Sequence, residues 1–134
     1  MSIDPLNAQV RHLFGHLAHA GQPSAQALPP GVRSVCGEAG REQRGTRVRF
    51  TLHLRGPDPI EVRYQAYGCP HTLAVCEWLA EELESGRGRP IGGPVAWART
   101  LGVPAAKLGR LLVVEDALKA ALAQIGAGGE SVVK

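Results

Sequence analysis

The residues of this sequence that can take part in the widest range of reactions are its three cysteines, Cys36, Cys69 and Cys76. A thiolate can bind zinc or iron, or it can act as a nucleophile. Cys69 precedes Pro70 at the predicted start of a helix, where the positive end of the helix dipole favours the thiolate. On local context alone, Cys69 is either such an activated thiol or a small residue between strand and helix. Cys76 lies about 10 Å further along the same helix, on its apolar stripe, so we expect it in the core without a disulfide to Cys69.

Cys36 is followed by Gly37 and Glu38 on a segment predicted to be a loop. Glycine would let that loop bend tightly, and the carboxylate offers an oxygen ligand next to the thiol. Taken alone, Cys-Gly-Glu is a weak signal for a metal site.

Histidines and arginines form two further groups. Three histidines share one flank of the first predicted helix, at positions 12, 16 and 19. A histidine pair with this spacing can bind zinc, but the same helix provides no carboxylate or thiol to complete the site, so we interpret it as a solvated face.

The arginines would line the outer face of a predicted hairpin, either as a basic patch for an acidic partner or as a solvated sheet face: Arg47, Arg49, Arg55 and Arg63.

The hairpin follows from the alternation of apolar and polar residues. Residues 46 to 55, TRVRFTLHLR, alternate strictly, which is the period of a half-buried strand. A turn at 56 to 59 precedes a second alternating run at 60 to 67. The run RSVC, ending at Cys36, would supply a shorter third strand, with a loop from Cys36 to Gly45.

Helices are predicted on either side of the hairpin. An apolar stripe indicates a helix over residues 4 to 20, followed by a Pro-rich connecting arm over 21 to 33. A second helix begins at Cys69 and Pro70, and a last one runs from about 105 to 125 with Gly126 as its stop. Residues 126 to 134 form a predicted flexible tail. The whole chain, 1 to 134, is read as a single domain.

Composition limits the function classes. At 134 residues, with 44% hydrophobic and 20% charged residues, the chain can bury a core without disulfides. An odd number of cysteines without a secretory signal favours the reducing cytoplasm, and no apolar run is long enough for a membrane span. A net charge of +3 and 4% aromatic residues argue against nucleic acid as a partner. No catalytic triad, carboxylate pair or phosphate loop is recognisable, so we expect no enzymatic turnover.

The order of these elements resembles the U-type iron–sulfur cluster scaffolds, the IscU and NifU N-terminal family. The run VRFTLHLRGPDPIEVRYQAYGCP resembles that family's strand, turn and strand leading to Gly-Cys and a helix. Cys36-Gly37-Glu38 resembles its Cys-Gly-Asp, and VEDALKAAL at 114 to 122 resembles a segment of its last long helix. Residues 10 to 21 can be laid over its N-terminal helix. Sulfur-acceptor proteins of the SufE kind share the fold and are the neighbouring possibility.

This resemblance implies an α+β domain with a SufE/NifU-like fold, in which helices pack on one face of a three-stranded antiparallel sheet. It also implies a scaffold role in iron–sulfur cluster assembly, with a cysteine desulfurase or other iron–sulfur assembly proteins as partners. The family site uses three cysteines, an aspartate and a histidine. On that pattern Cys36 and Cys69 match two cysteines and Glu38 the aspartate. Gly109 and Arg110 stand where the histidine and the third cysteine should be.

The departure at Arg110 leaves three hypotheses for the cofactor. An iron–sulfur cluster normally takes four protein ligands. In a homodimer, each of the two subunits would supply both Cys36 and Cys69, which makes four thiolates. Zinc would need only the two thiolates with Glu38 or His71. Alternatively no metal binds, because the fixed charge of Arg110 repels it and pairs with Glu38.

In the metal-free case the protein would be a degenerate scaffold that accepts sulfur as a persulfide on Cys69, or an interaction module. A hypothesis from a different class is a basic adaptor that binds an acidic partner through the arginine face. Its binding should weaken steeply with salt.

Overall fold

The computed structural model describes residues 12–13, 15–23, 28–85 and 93–133, with side chains up to residue 125. The described elements are three strands and three helices, with short 3-10 turns at Glu42–Arg44 and Ala105–Lys107. We number them β1 (Val32–Arg41), β2 (Thr46–Arg55), β3 (Asp58–Tyr67), α1 (Pro70–Glu84), α2 (Gly93–Leu101) and α3 (Leu108–Val133). The strands form one antiparallel sheet in the order β1-β2-β3. This confirms the predicted α+β fold.

The β2–β3 hairpin is the best-predicted part of the fold. β2 has the predicted bounds, and its four alternate apolar residues are fully buried: Val48, Phe50, Leu52 and Leu54. The turn is shorter than expected, because β3 already begins at Asp58. Gly56 takes a φ of 61° there, a conformation that glycine adopts without steric cost. The apolar period therefore sets one sheet face toward the core.

β1 corrects the prediction around Cys36. It is a full ten-residue strand that pairs with β2 along its whole length, from Val32 opposite Arg55 to Arg41 opposite Thr46. The predicted loop from Cys36 to Gly45 is wrong, because strand pairing continues to Arg41. Cys36 and Glu38 therefore lie within a strand.

Gly37 has a packing role instead of the predicted role in a bend. A Cβ atom at this position would lie 2.2 Å from the backbone nitrogen of Ala121 and 2.3 Å from the carbonyl oxygen of Ala117, both on α3. Only glycine lets the α3 backbone approach the strand this closely. The Cys-Gly-Glu segment thus serves the contact between helix and sheet.

The helices pack on one face of the sheet. α1 packs on β3 and α3 on β1 and β2, while α2 packs against α3. As predicted, Cys69 is the N-cap residue of α1 with Pro70 in its first turn, and Cys76 is fully buried in the core. The predicted helix stop at Gly126 is wrong, because α3 continues to Val133.

The N-terminal segment departs from the predicted helix over residues 4 to 20. Residues 1 to 11 lie outside the described part of the chain, and the helical residues that follow end before His19. Residues 19 to 21 instead run along the edge of β3. The amide of Tyr64 donates to the carbonyl of His19 at 3.0 Å, and the amide of Gly21 donates to the carbonyl of Tyr64 at 2.7 Å. This short pairing covers an edge that would otherwise expose free backbone groups.

Among the described helices, none combines the length and apolar character that crossing a bilayer requires.

Candidate thiolate site and adjoining basic pocket

Two of the predicted ligands, Cys36 and Glu38, lie on the sheet face that points away from the described helices. Their neighbours Val35 and Gly37 are buried toward the helices, so the alternation of β1 directs Cys36 and Glu38 outward. Glu38 accepts a hydrogen bond from Arg47 at 2.7 Å, and Arg49 lies 3.8 Å from its other oxygen. The carboxylate is therefore engaged by arginines of the same sheet face.

The register separates Cys36 from Cys69. Cys36 lies opposite Thr51, which in turn lies opposite Arg63 on β3. From Arg63, β3 continues for four residues to Tyr67, about 13 Å at the usual rise of a strand, before the chain reaches Cys69. Cys36 also lies on β1, two strands away from β3, and on the outer face of the sheet. A single subunit therefore does not bring these two thiols together.

Arg110 lies in the first turn of α3 and reaches the surroundings of Cys69, where its side chain favours the thiolate. The predicted ion pair between Arg110 and Glu38 is wrong, because in the described structure Glu38 pairs with Arg47 and Arg49. The physical reason is the extension of β1, which carries Glu38 onto the outer face. Arg110 therefore acts on the thiol and not on the carboxylate.

Cys69 has the environment of an activated thiol. Burial by itself raises the pKa of Cys69, but hydrogen bonds from the Thr72 hydroxyl, from the backbone amides of Thr72 and His71, and an interaction with Arg110 outweigh it. The net pKa is therefore lowered from the ordinary value of a thiol. The Thr72 hydroxyl lies 3.5 Å from the sulfur. His71 itself is buried in the first turn of α1.

A pocket of about 650 Å³ adjoins this site through Arg110. It lies between the end of β1, the start of β2 and the N-terminal end of α3. Three arginines line it with a single acidic residue, Asp116. The basic residues are Arg41, Arg44 and Arg110. The amides of the first turn of α3 add the positive end of a helix dipole, so the pocket favours anions.

Two polar atoms next to this pocket have no hydrogen-bond partner among the residues that the structure describes. These are the hydroxyl oxygen of Thr46, whose residue is 4% exposed, and the Nη1 nitrogen of Arg110. Both residues line the pocket. A buried polar group without a partner costs about 1–3 kcal/mol, so each of these atoms calls for an explanation.

A second polar cluster surrounds His19 and joins it to acidic residues of α1. The carboxylate of Glu77 is fully buried and accepts hydrogen bonds from the backbone amide of His19 at 3.0 Å, from its Nδ1, and from the Tyr64 hydroxyl at 3.1 Å. His19 Nε2 lies 2.9 Å from Glu84. Glu77 and Glu84 lie seven residues apart on one face of α1. This acidic pair was the signal for a polar cluster that the sequence offered. Its histidine partner lies 58 residues earlier in the chain, beyond any local pattern.

This cluster is also the set of His, Cys, Asp and Glu side chains in the described structure that could hold a metal ion: His19, Glu77 and Glu81. Burial opposes the charged form of His19, but hydrogen bonds to Glu77 and Glu84 and their negative charges outweigh it and raise its pKa. Burial and the Glu77 neighbour raise the pKa of Glu81. His19 is therefore already hydrogen-bonded to Glu77, one of the two carboxylates that a metal at this place would need.

The residues around Cys69 do not fit an iron–sulfur cluster within one subunit. Such a cluster takes about four ligands, usually thiolates. Here Cys69 lies beside the Arg110 guanidinium, Cys36 faces away, and Cys76 is enclosed in the core. A fixed positive charge beside the sulfur favours an anion over a metal cation.

The arginine face is largely neutralised by its own sheet and helices. Arg47 and Arg49 pair with Glu38, and Arg63 lies 3.3 Å from Glu61 and 3.0 Å from Glu84. Because neighbouring carboxylates offset their charge, these paired arginines attract an acidic partner less strongly than unpaired arginines would. The adaptor hypothesis stays a prediction.

The chain is similar to one curated relative, the bifunctional protein NifU/MnmA of Rubrobacter xylanophilus. The two are 40% identical over 85 residues, which is 63% of this chain and 16% of the relative. This chain thus spans about one sixth of that protein's length. No family model matches the chain. The similarity agrees with the resemblance to NifU-like domains, and the activities of the longer relative belong to that protein.

Proposed function

We propose that this protein is a NifU-like sulfur carrier of iron–sulfur cluster assembly, in which Cys69 accepts sulfur as a persulfide. The observation that supports it most is the position of Cys69 at the N-terminal end of α1, 3.5 Å from the Thr72 hydroxyl. There Thr72, the first amides of α1 and Arg110 lower the pKa of the thiol. The similarity to a protein named NifU/MnmA supports the broader role. In this proposal the protein carries sulfur without an enzymatic turnover of its own.

The reaction requires no added oxidant or reductant. The thiolate of Cys69 attacks the terminal sulfur of a persulfide on a donor protein, forming a new S–S bond. The S–S bond of the donor breaks, and its cysteine leaves as a thiolate. The terminal sulfur, with its proton, is then carried on Cys69. A cysteine desulfurase is the class of donor that presents such a persulfide.

Arg110 supports this chemistry in two ways. Its charge stabilises the attacking thiolate, and it also stabilises the anion that the new persulfide becomes when it loses its proton. A metal ligand at the same position would instead hold the sulfur in a coordination bond. The replacement of a cysteine and a histidine by Arg110 and Gly109, relative to the family pattern, therefore fits a carrier better than a scaffold.

Persulfide formation is testable by intact-protein mass spectrometry. The protein is incubated with a bacterial cysteine desulfurase and cysteine, and the expected result is a mass gain of one sulfur atom that a reductant removes. Cys69→Ser should lose this gain, while the matched control Cys36→Ser should retain it. Equal gain in both variants, or gain by neither the natural protein nor the control, would overturn the proposal.

Metal retention separates the carrier from the scaffold. The protein is purified without oxygen, and iron, zinc and sulfide are measured per chain. We expect no stoichiometric metal. Metal that is retained by the natural protein and lost in both Cys36→Ser and Cys69→Ser would favour the scaffold hypothesis with two subunits.

A further inference from the structure

The pocket formed by β1, β2 and the start of α3 has the features of an anion site that does not involve cysteine chemistry. Its three arginines, Arg41, Arg44 and Arg110, face one acid, Asp116. Within the described residues, the buried Nη1 atom of Arg110 has no hydrogen-bond acceptor. A guanidinium nitrogen left without an acceptor is a donor available for a ligand.

Thr46 provides an independent indication. It is 4% exposed, lines the pocket, and its hydroxyl has no partner among the described residues. The hydroxyl cannot be explained by surface charge, because it is neutral and buried. An anion in the pocket would accept from both the Thr46 hydroxyl and the Arg110 guanidinium, and so remove the cost of leaving them unpaired.

We propose that this pocket binds an oxyanion of the phosphate class, as the free ion or as the phosphate group of a small molecule, with Arg110 and Thr46 as donors. The first turn of α3 supplies a third favourable element, because Gly109 and Arg110 place the pocket at the N-terminal end of a 26-residue helix. A volume of about 650 Å³ lies within the range of small-molecule sites and exceeds the needs of one ion. Room thus remains for the organic part of a phosphate ester.

Binding is measured by NMR titration of the natural protein with inorganic phosphate, at constant ionic strength maintained with potassium chloride. We expect saturable shifts of the amides that line the pocket. Arg110→Gln and Thr46→Val should each weaken binding about tenfold, the effect of losing one hydrogen bond to a charged group. Arg55→Gln, which removes the same charge from an exposed position outside the pocket, should weaken it less than about twofold.

Thr46→Val keeps the net charge and decides the test if Arg110→Gln does not fold. Absence of saturable binding, or equal weakening in Arg110→Gln and Arg55→Gln, would overturn the proposal, since the latter would mean attraction by general surface charge. Unchanged binding in Thr46→Val would overturn it as well.

Glycerol phosphate distinguishes the two sources of the oxyanion. Binding tighter than that of inorganic phosphate would assign the pocket to a phosphate ester, and equal binding would assign it to the free ion. Neither measurement uses a sulfur donor, so a failure here is separable from a failure of the proposed sulfur carrier.

Discussion

Replacing His19 by glutamine tests the polar cluster that fastens the N-terminal segment to the fold. The imidazole bridges the fully buried Glu77 and the partly exposed Glu84, and the backbone of residue 19 pairs with Tyr64. Removing one partner of a buried ion pair costs about 3–5 kcal/mol. Glu77 would keep hydrogen bonds from the Tyr64 hydroxyl and from the amide of residue 19, so we expect the lower end, about 3 kcal/mol.

The assay is urea unfolding at pH 6, followed by tryptophan fluorescence. His16→Gln is the matched control, because His16 is exposed and, among the described residues, its ring contacts only the neighbouring turn through the His12 carbonyl and ring. The control should change the free energy of unfolding by less than about 0.5 kcal/mol. A His19→Gln protein as stable as the control would refute the buried ion pair.

The pH dependence has a definite sign. The pKa of His19 is raised in the folded state by its carboxylate partners, so its contribution is fully present below the unfolded pKa of about 6.5. It is lost as the pH rises through the folded pKa. The stability difference between the natural protein and His19→Gln should therefore be largest near pH 6 and shrink toward pH 9. A difference that grows with pH would contradict the charged imidazole.

Two further pairs of substitutions test the packing of α3 and the activation of the thiol. Gly37→Ala would place a methyl group against the α3 backbone and should lower the free energy of unfolding, measured by urea denaturation, by about 3 kcal/mol. Gly109→Ala, at a helical position with open space, should not destabilise the protein. Arg110→Gln and Thr72→Val should each raise the pKa of Cys69, so that the rate of alkylation by iodoacetamide falls at pH 7 but not at pH 9, as measured by mass spectrometry. An unchanged pH profile in both variants would show that neither side chain stabilises the thiolate.

Local periodicity predicted much of the fold, because each predicted element has a clear apolar pattern. β2 alternates over its whole length, and the start of α1 is marked by Cys69 and Pro70. β1 was predicted too short, since Gly37 and Gly40 interrupt its alternation and resemble a loop. Their lack of side chains instead admits α3 and the start of β2, which is visible only in three dimensions.

The site was predicted in part. The sequence singles out Cys69 and Arg110, and the structure places them together. Cys36 and Glu38 were grouped with them by resemblance, but strand register and the direction of alternate side chains separate them from Cys69. The sequence marks Thr46 only as the first residue of a strand, because the burial of its hydroxyl depends on tertiary packing.

Arg110 links the two proposals, because one side chain serves both sites. The same guanidinium stabilises the thiolate of Cys69 and offers a donor to an anion in the pocket. An anion bound there would share this guanidinium with the sulfur, so it should raise the pKa of Cys69. Because linkage is reciprocal, ionisation of Cys69 must weaken the binding of the anion by the same factor. Sulfur loading and phosphate binding should therefore oppose one another, and Arg110→Gln should remove that opposition along with part of each function.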